Sequence, residues 1–259
     1  MELLLCNILN CQRIDLYLNY DRPLLSEELD KLHNYIILVT KSVPLQYIFG
    51  KTQFYGMELL IDKRALIPRQ ETEQLVKIAI EFLENSNVNQ IQIMDIGTGS
   101  GCLAIAIAYH FQKSEKKCII DAIDDSSEAL ELAKENAQKY NINNIEFHLL
   151  DILQTNISLE KYNCIVSNPP YIPFKNYKTL DRQIRDYEPQ SSLTDYADGL
   201  TFYKKYKELI ETMQTGAMMA LEIDGSNTND LLEIFIDSNC KIEIFKDLAG
   251  IDRILTLKK

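Results

Sequence analysis

From about Pro68 onward, strand-like apolar runs alternate with stretches of helical spacing, and that alternation constrains the fold more than any other feature of the chain. Alternating segments of this kind build βα units: a largely parallel sheet with helices on both faces, the α/β class. The strand segments are 91–96, 118–123, 145–150, 164–167, 217–223, 241–245 and 254–257, and the helical ones 71–84, 102–111, 127–140, 200–214 and 228–238. In the fourth helix Phe202, Tyr206, Leu209, Ile210 and Met213 mark one apolar face, which reads as core. With 259 residues, 46% of them apolar, the chain can bury one main domain and a smaller appendage. No internal repeat or low-complexity tract is visible, so a solenoid is not indicated.

The appendage is at the N-terminus. Ser26 is a helix-capping residue, followed by an apolar stripe at Leu29, Leu32, Ile36 and Val39 that reads as an amphipathic helix to residue 41. Together with the Leu-rich start it makes a small helical unit over 1–43. Residues 51–62 then read as a strand pair turning at Tyr55-Gly56, the hairpin of a connector spanning 44–67. The α/β domain takes up 68–259.

Charge and special residues narrow the function. Twenty-seven Lys and Arg against 38 Asp and Glu give a net charge of −11, which disfavours duplex DNA and anionic lipid as partners. Glu2 replaces the basic start of a signal peptide, and Asn7 and Asn10 break the first apolar run, so a cytoplasmic address is expected. Six cysteines without a CxxC pair read as buried thiols. His33, His110 and His148 lack ligand spacing, and no metal is expected.

At the end of the first sheet segment stands M-D-I-G-T-G-S-G-C, in which Asp95 is followed by Gly97, Thr98, Gly99, Ser100 and Gly101 and then by an apolar helix. Alternate glycines let the backbone turn tightly and bring its N–H groups against a ligand at a helix N-terminus. The third glycine comes one residue too early for the dinucleotide pattern G-x-G-x-x-G. The spacing is similar to the first motif of class I S-adenosylmethionine-dependent methyltransferases; a glycine-rich turn without a ligand is the competing reading.

A ribose diol needs a carboxylate at the end of the next strand, and Asp124 stands there, able to accept from both hydroxyls. Asp125 competes for that role, and helix capping near Ser126 is the alternative duty for either acid. Asp151 ends the third strand, where methyltransferases of this class place a residue near the adenine amino group, and Ile152 can cover the ring face.

The fourth strand runs into S-N-P-P-Y-I-P, residues 167–173. Pro169 and Pro170 fix φ and remove two N–H donors, which stiffens a loop that projects carbonyls and the Asn168 amide. Such a loop suits an acceptor NH2 group: the Asn168 side-chain oxygen and the Pro169 carbonyl take its two protons, and Tyr171 stacks on the planar group. Alignment of nitrogen, methyl carbon and sulfur is then the main task, a class of effect worth roughly 7–11 kcal/mol of barrier. A purely structural Pro-rich turn is the competing reading.

D-I-G-T-G-S-G and N-P-P-Y also occur together in N6-adenine DNA methyltransferases and in RNA and protein methyltransferases. The flanking text distinguishes them: P-L-Q-Y-I-F-G (44–50), L-I-P-R-Q-E-T-E (66–73), Y-E-P (187–189), D-G-L (198–200) and D-L-A-G-I-D-R (247–253) all resemble the release factor glutamine methyltransferase family (PrmC/HemK). The resemblance implies a Rossmann-like seven-stranded, mostly parallel sheet, preceded by a helical substrate-recognition domain and joined to it by a β-hairpin. It implies N5-methylation of the glutamine in the Gly-Gly-Gln motif of class I peptide chain release factors, with S-adenosylmethionine as donor and S-adenosylhomocysteine as product. Residues 97–101, Asp124 and Ile152 would then line the cofactor pocket, and Asn168, Pro169, Pro170 and Tyr171 would face cofactor and glutamine.

The chain departs from the family pattern at Gln70, where proline is usual, and in its short N-terminal stretch of 43 residues. Arg69 and Glu71 either brace that turn or touch a ligand, and the polar, aromatic loop 172–193 reads as a lid on the substrate side. Two rivals follow from the same residues: a nucleic-acid adenine methyltransferase, and a non-catalytic cofactor-binding module. The first would be expected to add a basic groove or a target-recognition domain, and neither is visible.

Overall fold

The computed structural model describes residues 1–259. Four helices come first: α1 (Glu2–Leu9), α2 (Arg13–Leu18), α3 (Ser26–Thr40) and the single-turn α4 (Leu45–Phe49). Glu28 in the first turn of α3 accepts from the Leu25 N–H at 2.8 Å and pairs with Arg22, which secures the helix start. The α3 stripe is less buried than its spacing implies, because three short helices cannot enclose it: Leu29 is 51% exposed and Val39 40%. No helix is long and apolar enough to cross a membrane.

Gly50, in the left-handed region, ends α4 and leads into the hairpin β1 (Lys51–Phe54) and β2 (Met57–Leu60), which turns through Tyr55-Gly56 with positive φ at both. The hairpin is fastened to the main domain by Asn136, which is fully buried. Its Oδ1 accepts from the Leu60 N–H at 2.6 Å, and its Nδ2 donates to the carbonyls of Leu60 and Ser100, both at 3.0 Å.

The main sheet comprises β3 (Gln90–Ile96), β4 (Lys117–Asp124), β5 (Ile145–Leu149), β6 (Cys164–Ser167), β7 (Met218–Glu222), β8 (Lys241–Lys246) and β9 (Asp252–Lys258). Their order is β5-β4-β3-β6-β7-β9-β8. The pairs β3–β4, β4–β5, β3–β6 and β6–β7 are parallel, while β9 runs antiparallel to both neighbours. Seven strands, mostly parallel, are therefore present as the resemblance implied. Helices α5 (Glu73–Glu84), α6 (Cys102–Phe111) and α7 (Ser127–Lys139) follow in the first half. The second half adds α8 (Phe174–Tyr177), α9 (Arg182–Arg185), α10 (Thr201–Ile210) and α11 (Thr228–Phe235).

Side-chain alternation along β3 divides the core. Ile91 and Ile93 pack with α5 and α6 on one face, whereas Met94 and Ile96 pack with Tyr203, Tyr206 and Phe235 of α10 and α11 on the other. Helix α5 starts two residues later than its spacing indicates, because Gln70 to Thr72 are held in turns that bond Glu73 N to Gln70 O. All six cysteines are free; Cys118 and Cys164 are buried and the other four half-buried.

Strand order reverses between β3 and β6, which are neighbours in the sheet although two strands separate them in sequence. Open α/β sheets bind ligands at the carboxyl end of such a switch point.

Candidate active site

A cleft opens at that switch point, where ligand sites of open α/β sheets form. It is lined by the glycine loop after β3, the ends of β4, β5 and β6, and the 64–72 and 189–192 segments.

The glycine loop crosses to the end of β4, where the N–H groups of Gly97 and Thr98 both donate to the Ile123 carbonyl at 2.9 and 3.0 Å. Gly97, Gly99 and Gly101 all have positive φ (72, 55 and 81°), a conformation costly for other residues. A Cβ on Gly97 would meet nothing within 4 Å and one on Gly99 only Ala65 at 4.0 Å, so both glycines border open cleft. Gly101 is different. It is absent from the cleft wall, and a Cβ there would stand 2.8 Å from Ile105 Cδ1 and 3.1 Å from Ala133 Cβ. Its smallness serves the packing of α6 against α7.

Asp124 accepts from Gly99 N at 2.8 Å through one oxygen and from Ser126 N at 2.9 Å through the other. Burial raises its pKa, and these two N–H groups draw it back down. The capping alternative falls to Ser126, whose hydroxyl accepts from Ala129 N at 3.1 Å, so Asp124 is not the helix cap. Asp125 also lines the cleft. Asp151 and Ile152 stand on the β5 side, with the Asp151 carboxylate braced by Leu153 N and Gln154 Nε2 at 2.8 and 2.7 Å. Thr98 and Ser100 are buried on the cleft wall; Thr98 donates to Asp95 Oδ2 at 2.7 Å, whereas Ser100 Oγ has no protein partner.

Asn168, Pro169 and Pro170 form the β6 edge of the cleft. Tyr171 does not reach it. Its ring packs against the core that carries α10, and its hydroxyl donates to Glu222 Oε1 at 3.2 Å. Glu222 ends β7 and is 1% exposed. Its other oxygen accepts from the Thr72 hydroxyl at 2.6 Å, and Thr72 Oγ1 in turn lies 3.4 Å from Asn168 Nδ2. Burial raises the Glu222 pKa, opposed by the hydrogen bonds from Thr72 and Tyr171.

Sequence reading missed three of these groups. Thr72 lies inside L-I-P-R-Q-E-T-E, and Glu222 is an acid at the end of an all-apolar strand, the same signal that singled out Asp124 and Asp151. The third is Glu188, at 1% exposure, which accepts from Ile67 N at 3.1 Å and pairs with Arg69 Nη2 at 2.5 Å. Arg69 therefore braces the 64–72 segment against Y-E-P. The loop 172–193 is pinned at its ends by the bond from Ile172 N to Leu193 O at 3.0 Å, and its Pro189, Ser191 and Ser192 border the cleft.

A family model described as a methyltransferase domain matches residues 87–232, and one described as the PrmC N-terminal domain matches residues 1–50. A release factor glutamine methyltransferase of Fusobacterium nucleatum is 36% identical across 100% of this chain and 72% of its own length. The chain belongs to the release factor glutamine methyltransferase family. The Bacillus subtilis member is 35% identical over 98% of this chain and 88% of its own length. Among solved structures, a Pyrococcus furiosus methyltransferase superposes with a TM-score of 0.54 at 17% identity, covering 90% of this chain and 98% of that one. The M. jannaschii tRNA m1G37 methyltransferase gives 0.51 at 16% identity, covering 80% and 55%. At these identities the structures show a shared fold alone.

Release factor glutamine methyltransferases are S-adenosylmethionine-dependent enzymes. The cleft fits that cofactor: two glycines edge open space, a buried Ser100 hydroxyl lacks a partner, a carboxylate ends β4, and Ile123 and Ile152 supply apolar walls.

Proposed function

We propose that this chain methylates N5 of the glutamine carboxamide in the Gly-Gly-Gln motif of class I peptide chain release factors. The observation that carries the reading is the placement of Asn168 at the cleft edge with its amide nitrogen turned to Thr72, which leaves its oxygen for an acceptor N–H. Family membership over nearly the whole chain supports the same substrate.

S-adenosylmethionine supplies an electrophilic methyl carbon when bound. Residues 97–100, Asp124, Asp151 and Ile152 hold the cofactor, with Asp124 taking the ribose hydroxyls. Asn168 Oδ1 and the Pro169 carbonyl accept hydrogen bonds from the two amide N–H groups and so aim the nitrogen lone pair at the methyl carbon, while Pro170 stiffens their loop. Carboxamide nitrogen is a weak nucleophile, and orientation in a dry cleft is the main aid these residues offer; the proton leaves after transfer.

We assign 1–43 to substrate recognition, 44–67 to a connector and 68–259 to catalysis. Exposed Ile14, Leu18, Leu25 and Leu29 on and beside α2 and α3 give the first unit an apolar face suited to a protein partner. The net charge of −11 argues against a stable nucleic-acid partner, and a release factor substrate supports a cytoplasmic address.

Single-turnover transfer from labelled cofactor to a purified release factor, compared between wild type and Asn168→Ala, tests the reading. Loss of about a hundredfold in rate is expected, the scale of one oriented transition-state contact, with cofactor affinity unchanged. A rate unaffected by the substitution refutes it.

A further inference from the structure

The NPPY loop is tied at its back to a buried carboxylate from a different strand. Glu222 sits at the end of β7, 1% exposed, and hydroxyl groups from three elements converge on it. Thr72 donates to Oε2 at 2.6 Å, Tyr171 donates to Oε1 at 3.2 Å, and Tyr203 of α10 donates to its backbone carbonyl at 2.7 Å. Thr72 is itself 1% exposed and borders the cleft.

A threonine hydroxyl has one proton and two lone pairs. With that proton given to Glu222, Thr72 Oγ1 can only accept from its remaining neighbour. Asn168 must then present its NH2 end, and Nδ2 lies 3.4 Å away, long as such bonds often are before substrate tightens the site. The opposite end of the amide, Oδ1, is left for the cleft.

We propose that Glu222 is a positioning residue for methyl transfer: through the Thr72 hydroxyl it fixes which end of the Asn168 amide meets the acceptor nitrogen. Without the carboxylate, Thr72 is free to donate to Asn168 Oδ1. The amide then turns over and sets N–H groups against the N–H groups of the acceptor, donor facing donor. Neither Glu222 nor Thr72 transfers a proton in this scheme.

This inference rests on the acceptor being a carboxamide or similar NH2 group, and the test separates the two ideas. The side-chain 15N–1H resonances of Asn168, identified by their loss in Asn168→Ser, report the amide with no substrate present. Thr72→Val and Glu222→Met are expected to shift them, and Thr72→Ser to leave them near the wild-type position. Glu222→Met leaves no carboxylate unpaired, so it guards against a variant that fails only through a buried charge.

In single-turnover transfer, Thr72→Val and Glu222→Met are expected to slow methylation by about tenfold or more, the equivalent of one hydrogen bond, with cofactor Kd within about twofold. Thr72→Ser restores the rate. Equal rates in wild type and Thr72→Val, or a Thr72→Ser variant as slow as Thr72→Val, overturn the proposal. Resonances that behave as expected in a protein that leaves release factor unmodified sustain the relay and refute the substrate.

Discussion

Gly199 lies so close to Tyr171 that a Cβ on the glycine would stand 2.3 Å from the Tyr171 carbonyl oxygen. The D-G-L turn therefore sets the height of the NPPY loop. Gly199 also has φ +84°, and its N–H donates to Asp195, which accepts from Thr201 N as well. Gly199→Ala is expected to cost about 2 kcal/mol or more through strain and overpacking, read by urea unfolding. Activity at a temperature where the variant is folded should also fall, because Asn168 is displaced. A variant with unchanged stability would contradict the close approach.

Asp124 is the carboxylate assigned to the ribose diol. Asp124→Asn keeps an acceptor for one backbone N–H but loses the charge, and cofactor Kd is expected to rise by about tenfold or more in calorimetric titration. Asp151→Ala should weaken binding less, since the Asp151 carboxylate lies nearer solvent than that of Asp124, where charge-assisted hydrogen bonds are worth less. The reverse ranking would mean that the ribose and adenine ends are misassigned.

The Arg69–Glu188 pair is asymmetric: the carboxylate is 1% exposed and the guanidinium one-third exposed. Removing the arginine strands a buried anion, whereas removing the acid leaves a cation that water can reach. Arg69→Met is therefore expected to cost about 3 kcal/mol and Glu188→Gln about half of that, with the double variant more stable than Arg69→Met alone. Urea unfolding of the three variants reads the ranking, and an Arg69→Met cost below that of Glu188→Gln would contradict it.

Burial lifts the Asp95 carboxyl from its ordinary 3.8 to about 7, opposed by hydrogen bonds from Thr98 and Ala104. The folded state then binds a proton that the unfolded state has released between those values. Its contribution to stability is full below about pH 4, falls as pH rises and levels off above about 7, a range worth about 4 kcal/mol. Asp95→Asn should therefore gain on wild type as pH rises across that window. Unfolding curves with a pH-independent difference would contradict the burial argument.

Features whose geometry depends on local spacing are legible in the sequence. The glycine loop, Asp124 at a strand end and the stiff Asn-Pro-Pro turn all carry their geometry in consecutive residues, and the alternation after Pro68 gave the sheet its class. Glu222, Thr72 and Glu188 escaped because their meaning comes from partners far along the chain: Thr72 to Glu222, and Glu188 to Arg69 and Ile67. Tyr171 and Gly101 show a related dependence on neighbours outside their motifs. Both belong to ligand-binding motifs, yet Tyr171 is turned away by Glu222 and Gly101 by the closeness of Ile105 and Ala133. The exposed α3 stripe shows that periodicity marks an apolar face but not whether the same chain covers it.

The most direct test of the central claim is mass spectrometry of a purified class I release factor incubated with this protein and S-adenosylmethionine, with the added mass located by fragmentation. A single methyl on the glutamine of Gly-Gly-Gln, lost with Asn168→Ala, is the predicted result. An unmodified factor from an enzyme with cofactor bound, with labelled methyl instead appearing in nucleic acid, would contradict it.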